Sequence, residues 1–149
     1  MIMVSACLLG VKCRFDGKDK LNKKVTEYLS DKEFTAVCPE CLSDLKTPRC
    51  PAEISGGDGK DVLSGVARVI NKEGEDVTSS YLMGAQSVLE KAMSLKPELI
   101  IFKEKSPSCG VNRIYDGSFS GKLIDGEGVC TALLRLSGFN VISEEDING

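Results

Sequence analysis

Three short apolar runs each end in a turn that carries a thiol, and this repetition constrains the fold more than any other feature of the chain. Met1 to Ala6 leads into Cys7, with Cys13 close behind; Phe34 to Val37 leads into Cys38-Pro39-Glu40-Cys41; Leu99 to Phe102 leads into Ser106-Pro107-Ser108-Cys109-Gly110. Apolar runs of four to six residues between turn signals read as β-strands. If the strands are parallel, their carboxyl ends lie along one sheet edge, where open α/β sheets bind ligands. Cys7, Cys38 and Cys109 then converge.

The segments between the strands read as crossovers. A helix is predicted over about 22–30, with Asn22 as its cap and Val25, Tyr28 and Leu29 on its buried face. Between Val77 and Leu95, apolar residues recur at three-and-four spacing: Tyr81, Leu82, Ala85, Val88, Leu89, Ala92, Met93 and Leu95. Pro97 ends that helix. The unbroken run Leu99 to Phe102 suits a central strand covered on both faces. Val129 to Leu136 forms a last helix closing at Gly138, and 140–142 a last strand before an acidic tail. The alternation predicts a single α/β domain over 1–149, a Rossmann-like parallel sheet flanked by helices. From Leu42 to Gly65, two prolines and four glycines break any regular element, so this stretch is expected as a long irregular loop over the carboxyl edge. Val66 to Ile70 reads as a strand in a small hairpin with Leu63 or with the Asp76-Val77 side, and Ile114 to Gly121 as a loop that could touch a ligand.

Composition narrows the chemistry. A chain of 149 residues buries enough surface to fold without disulfides. Its apolar start is too short to span a bilayer and lacks both a basic lead and a cleavage site, so a reduced, cytoplasmic setting is expected. Seven cysteines there point to metal binding or catalysis. Histidine is absent, which removes the commonest general base and a common zinc ligand. A net charge of -3 gives no basic surplus for nucleic acid, and Lys18, Lys20, Lys23 and Lys24 read as a solvated face. Gly56-Gly57-Asp58-Gly59-Lys60 lacks the spacing of a phosphate loop and reads as turn chemistry.

Cys38-Pro-Glu-Cys41 has the spacing of a redox or zinc knuckle, though Glu40 between the thiols disfavours the thiolate that redox work needs. Cys7 or Cys13 could complete a four-thiolate zinc site with this pair. Alternatively, three thiolates from three strand ends suit an iron-sulfur cluster with one iron left open to a soft substrate atom. Cys41 or Cys13 could close such a cluster as a fourth ligand. Cys130 reads as core packing, and Cys50 shows no clear role.

Ser5-Ala-Cys-Leu-Leu-Gly10, Cys13-Arg-Phe-Asp-Gly17, Cys38-Pro-Glu40, Thr47-Pro-Arg49, Pro51-Ala-Glu-Ile54, Ser106-Pro-Ser-Cys-Gly110, Ile114-Tyr-Asp-Gly-Ser-Phe-Ser-Gly121 and Gly128-Val129 together resemble the thiouracil desulfidase family. The motifs occur in order over nearly the whole chain. The resemblance implies a 4Fe-4S cluster held by Cys7, Cys38 and Cys109, with Cys13 in reserve. It implies replacement of the sulfur of 2-thiouracil, or of a related thiolated nucleobase, by oxygen without net redox change, releasing hydrogen sulfide. Glu40 is then the acid/base that activates water, and Ser106 or Ser108 holds the thioamide. Arg14, Asp16 and Tyr115 are lesser pocket candidates. Cys41, Cys50 and Cys130 depart from the family pattern. The competing expectation is a non-catalytic zinc-binding or regulatory module built on the same cysteines. A third, motivated by the lysine cluster, is a desulfidase of thiolated nucleotides or RNA.

Overall fold

The computed structural model describes residues 1–147. Four parallel strands form the central sheet: β1 (Ile2–Ser5), β2 (Phe34–Val37), β5 (Leu99–Phe102) and β8 (Val141–Ser143), in the order β2-β1-β5-β8. Ile2 to Ser5 pair in register with Phe34 to Val37, and Ile2 to Val4 with Leu99 to Ile101. The connections run outward in opposite directions from β1 and β5, which makes the gap above those two strands the topological switch point.

Period-two alternation divides the side chains of the central strands between two cores. Met3, Ile100 and Phe102 face α3 (Thr78–Leu95) and α4 (Val129–Leu136), against Tyr81, Ala85, Val88, Cys130 and Leu134. Ile2, Val4 and Ile101 face α1 (Lys23–Leu29), against Val25 and Leu29. Both faces of β5 are therefore covered, as its unbroken apolar run requires. Asn22 caps α1 by accepting from the Val25 N–H at 3.1 Å. Cys130 is fully buried in α4 and packs. Among the described residues, no helix is long and apolar enough to cross a membrane.

Three expectations need correction. The stretch 42–65 is not irregular throughout: it holds β3 (Ala52–Ser55) and α2 (Gly59–Leu63). Asp58 caps α2 in a reciprocal capping box with Asp61, so the glycine-rich turn also starts a helix. The strand after it, β4 (Arg68–Asn71), pairs antiparallel with β3, Ile54 opposite Val69, and also meets the expected Asp76-Val77 side, through a bridge from Ile70 to Asp76, the Val77 N–H donating to the Val69 carbonyl at 2.9 Å and the Arg68–Asp76 ion pair. Second, Arg113–Tyr115 is a strand, β6, in a hairpin with β7 (Leu123–Asp125), so the predicted loop 114–121 begins inside a sheet. Third, Leu82, Met93 and Leu95 are exposed, and Tyr28 is only half-buried; the buried stripe of α3 runs through Tyr81, Gly84, Ala85, Val88 and Ala92. Small residues on that stripe let the helix lie close to its neighbours, and the larger apolar ones flank it.

Candidate active site

The three thiol-bearing turns meet at the carboxyl ends of β1, β2 and β5, around a cavity of about 440 Å³. After β1 the chain tightens into a 3-10 turn, Ala6–Leu9, which ends at Gly10 with φ +92, a conformation open to glycine at little cost. This turn sets Cys7 beside the end of β5, where the Lys103 N–H donates to Ser5 Oγ at 3.0 Å. The turn Cys38 to Cys41 follows β2, its Leu42 N–H closing onto the Cys38 carbonyl at 3.1 Å.

The third turn is held by the start of α4. N–H groups of Val129 and Cys130, which have no partner within the helix, donate to the carbonyls of Pro107 and Ser108 at 2.8 and 2.9 Å, and Thr131 Oγ1 donates to the Cys109 carbonyl at 3.1 Å. Gly128 permits that approach, since a Cβ there would lie 2.5 Å from the Ser108 carbonyl carbon.

Glu40 sits at the centre of the polar part. Its Oε1 accepts from Arg49 Nε at 3.1 Å and from the Tyr81 hydroxyl at 2.9 Å, while Oε2 accepts from Ser108 Oγ at 2.9 Å. With its hydrogen directed to Glu40, Ser108 receives the hydrogen of Ser106 Oγ at 2.9 Å. Ser106 Oγ in turn accepts from the N–H groups of Ser108 and Cys109, each at 3.1 Å. The hydroxyls thus form an ordered line from the cavity wall to the carboxylate. Arg49 also donates to the Cys13 carbonyl at 2.9 Å and to Thr47 Oγ1 at 2.8 Å, tying the loop before β3 to the loop after β1.

Cys7, Cys13, Cys38, Cys109, Glu40 and Ser106 all line the cavity; Ser108 lies buried behind its wall, and Cys41 stands just outside it. Arg14 and Tyr115 also line it, whereas Asp16 does not: it pairs with Arg14 at 3.4 Å. Cys50 is half-buried with no site contact. Sequence reasoning missed Arg49 and Tyr81. Arg49 stands in the motif Thr47-Pro-Arg49, which gives it no role, and the helical spacing of Tyr81 signals core packing with no hint of a hydroxyl facing a carboxylate.

The thiols are crowded. The sulfurs of Cys13, Cys38 and Cys41 all lie within 4.8 Å of one another. Burial, and then the neighbouring Cys38, pushes the Cys109 thiol up. The hydrogen bond with Cys13, and then burial, pushes Cys38 up. For Cys13 the bond with Cys38 acts downward, but Cys7 and burial outweigh it and carry the thiol to about 12. Burial and the Glu40 charge likewise raise Tyr81, which therefore stays a donor to the carboxylate. Several sulfurs held this close do not ionise together without a cation among them. A soft metal centre would supply it.

Comparison with known proteins agrees with this chemistry. A family model described as 2-thiouracil desulfurase matches residues 2–146. The chain is 47% identical over 148 residues to the uncharacterized protein YbbK of Bacillus subtilis (strain 168), covering 99% of this chain and 98% of that one. Among solved structures, a 4Fe-4S-dependent thiouracil desulfidase, TudS, superposes with a TM-score of 0.84 at 38% identity, covering 98% of this chain and 91% of the other.

Proposed function

Because the chain belongs to the 2-thiouracil desulfurase family, we propose that it hydrolyses the C–S bond of 2-thiouracil or a related thiolated nucleobase, exchanging sulfur for oxygen and releasing hydrogen sulfide without net redox change. On this reading residues 1–149 act as one cytoplasmic desulfidase domain with a 4Fe-4S cluster held by Cys7, Cys38 and Cys109, Cys13 being the reserve. The donor set fits that group: four thiols and no histidine line one cavity, and three of them, Cys13, Cys38 and Cys109, are raised and release their protons when a metal displaces them. When bound, the cluster supplies an open iron, a soft Lewis acid toward the substrate sulfur.

The observation that carries the reading is the position of Glu40 between the thiols and the serine line. Its Oε1 is taken by Arg49 and Tyr81, so Oε2, with only Ser108 on it, is the oxygen that accepts a proton from the attacking water. That proton returns to the departing sulfur, and the second proton of the water, on the hydroxyl left at the carbon, follows it as the C–S bond breaks, so water and a C=S group yield a C=O group and hydrogen sulfide. Ser106, at the cavity wall, is the hydroxyl in reach of the thioamide. Ser108 holds the line to Glu40. Phe15 and Tyr115 also line the cavity and offer apolar surface to a flat heterocycle.

The test is turnover by anaerobically reconstituted protein. Uracil and sulfide should form from 2-thiouracil one for one, with no reductant consumed; reductant-dependent turnover, or none at full cluster load, overturns the reading. Cys7→Ala, Cys38→Ala and Cys109→Ala should each lose the iron absorbance, whereas Glu40→Gln should keep it and lower kcat by about 10²- to 10⁴-fold. Ser106→Ala should act mainly on KM, and Ser108→Ala mainly on kcat.

One observation favours a nucleotide as the form of substrate. Lys20 and Lys105 line the cavity, and among the described residues neither makes an ion pair. Replacing Lys20 with its neighbours Lys23 and Lys24 should weaken binding of a phosphorylated substrate and leave the free base unaffected; equal losses for both refute it.

A further inference from the structure

Cys41 is the thiol that the proposed reaction leaves without a task. It is exposed, outside the cavity lining, with its sulfur 3.6 Å from the Cys13 carbonyl and 3.7 Å from Thr47 Oγ1. Yet it completes the one group of three metal-ligating side chains found among the described residues, Cys13, Cys38 and Cys41, whose sulfurs lie within 4.8 Å of one another. A single ion bound tetrahedrally at about 2.3 Å holds its thiolates roughly 3.8 Å apart. A four-iron cluster sets each thiolate on a different iron, which keeps its ligands further apart. The tight trio matches one ion better than a cluster.

We propose that Cys13, Cys38 and Cys41 form a single-ion site for a soft cation of the zinc class, and that by sharing Cys38 it excludes the cluster. The second clause rests on the reading of Cys38 as a cluster ligand; the first does not.

The surroundings support the assignment. Cys38 and Cys41 come from one turn at knuckle spacing, and the Cys13 backbone is pinned by Arg49, whose own N–H donates to the Phe15 carbonyl at 2.7 Å. Two of the three sulfurs therefore share a rigid turn and the third is fixed from outside it. Glu40, the nearest carboxylate in sequence, is turned to Arg49, Tyr81 and Ser108, so the donors are sulfur alone, which selects against hard cations such as magnesium. Exposure at Cys41 gives an entry path and leaves room for a water or small ligand in the fourth position. Occupied by zinc, the chain would be a folded protein that cannot take up its cluster.

The experiment uses the full-length, reduced, metal-free chain under anaerobic conditions. Cobalt is titrated first for its visible bands in tetrahedral thiolate sites, then zinc against a competing chelator. One equivalent should bind. Cys41→Ser should weaken zinc by about 10- to 100-fold, at least the loss expected when the support of a ligand is removed, while Cys7→Ser, Cys109→Ser and Cys50→Ser leave it unchanged. Equal losses in Cys7→Ser or Cys109→Ser would put the ion among the cavity thiols and overturn the proposal. In the second arm, zinc-loaded wild type should take up no cluster, and Cys41→Ser should take up a full one with an equivalent of zinc present. A lower iron content in Cys41→Ser without zinc makes Cys41 a cluster ligand and also overturns it. A chain that binds zinc through Cys41 but never takes a cluster refutes the catalytic reading and leaves the single-ion site supported.

Discussion

Replacing Arg49 by Met should destabilise the metal-free protein by about 3 kcal/mol, the lower end of the cost of breaking a buried ion pair from one side. The side chains of Arg49 and Glu40 are 6% and 15% exposed, and Arg49 Nε lies 3.1 Å from Glu40 Oε1. Met fills much of the volume but removes every donor, so the Cys13 carbonyl and Thr47 Oγ1 lose a partner as well. The hydrogen bonds from Tyr81 and Ser108 remain on Glu40, which is why the low end of the range applies. For a chain of this size the loss corresponds to a fall in Tm of roughly 6–12 °C. Urea unfolding with excess reductant, checked by a thermal scan, measures it. Glu40→Gln in the same background removes the stranded charge, so the double variant should be less unstable than the two single losses added together, with a coupling of about 2 kcal/mol. A single loss below about 1 kcal/mol, or strict additivity, would refute the claim that Arg49 chiefly compensates Glu40. Arg49→Lys should fall between, because an ammonium keeps the charge and loses the fork.

Glu104 should make stability depend on pH. Burial alone would push its carboxyl up, but the N–H groups of Arg113, Asn112 and Val111, at 3.1, 2.8 and 2.7 Å, hold it below its ordinary value. A lowered folded-state pKa gives stability that is present above the unfolded value and lost as pH falls through the folded one. Glu104→Gln should therefore be less stable than wild type by about 2 kcal/mol at neutral pH, and the gap should close below about pH 4; a gap constant in urea unfolding from pH 7 to pH 3 contradicts this. Gly84→Ala should destabilise by about 1–3 kcal/mol, because the new Cβ would collide with the Pro39 carbonyl in the turn between Cys38 and Glu40. That overlap outweighs the helix-propensity gain of roughly 1 kcal/mol, and a variant that unfolds at higher urea than wild type would show that the turn yields freely. Zinc affinity of the Cys13, Cys38 and Cys41 trio should climb from pH 6 to pH 8, since raised thiols must release protons to bind; a flat chelator-competition profile would mean thiolates already formed.

Much of the fold was legible because its signals are local. Phe34 to Val37 and Leu99 to Phe102 are strands to the residue, and Val129 to Leu136 is the observed last helix. The Asn22 cap rests on a side chain reaching three residues along its own chain. Strand β3 was missed because Ala52–Ser55 carries one strongly apolar residue, Ile54, and becomes a strand only through β4 beside it. Helix α2 was hidden by glycines that read as breakers, although Asp58 and Asp61 hold the spacing of a reciprocal cap. The exposed Leu82, Met93 and Leu95 show the opposite error: apolar residues at helical spacing widened the predicted face beyond what the sheet covers.

The site divides in the same way. By itself the sequence determined that Cys7, Cys38 and Cys109 follow strands, that Glu40 lies next to one of these thiols and that Ser106 and Ser108 flank another, since chain neighbours stay neighbours in any fold. Only the tertiary structure decided that Glu40 meets Tyr81 across 41 residues and Ser108 across 68, that Arg49 pins Cys13, and that Cys41 turns toward Cys13 instead of into the cavity. Those meetings depend on the strand order β2-β1-β5-β8 and on how closely α3 and α4 lie against it. Periodicity along the chain records which face of an element is apolar; which element that face will meet is set by packing among all of them together.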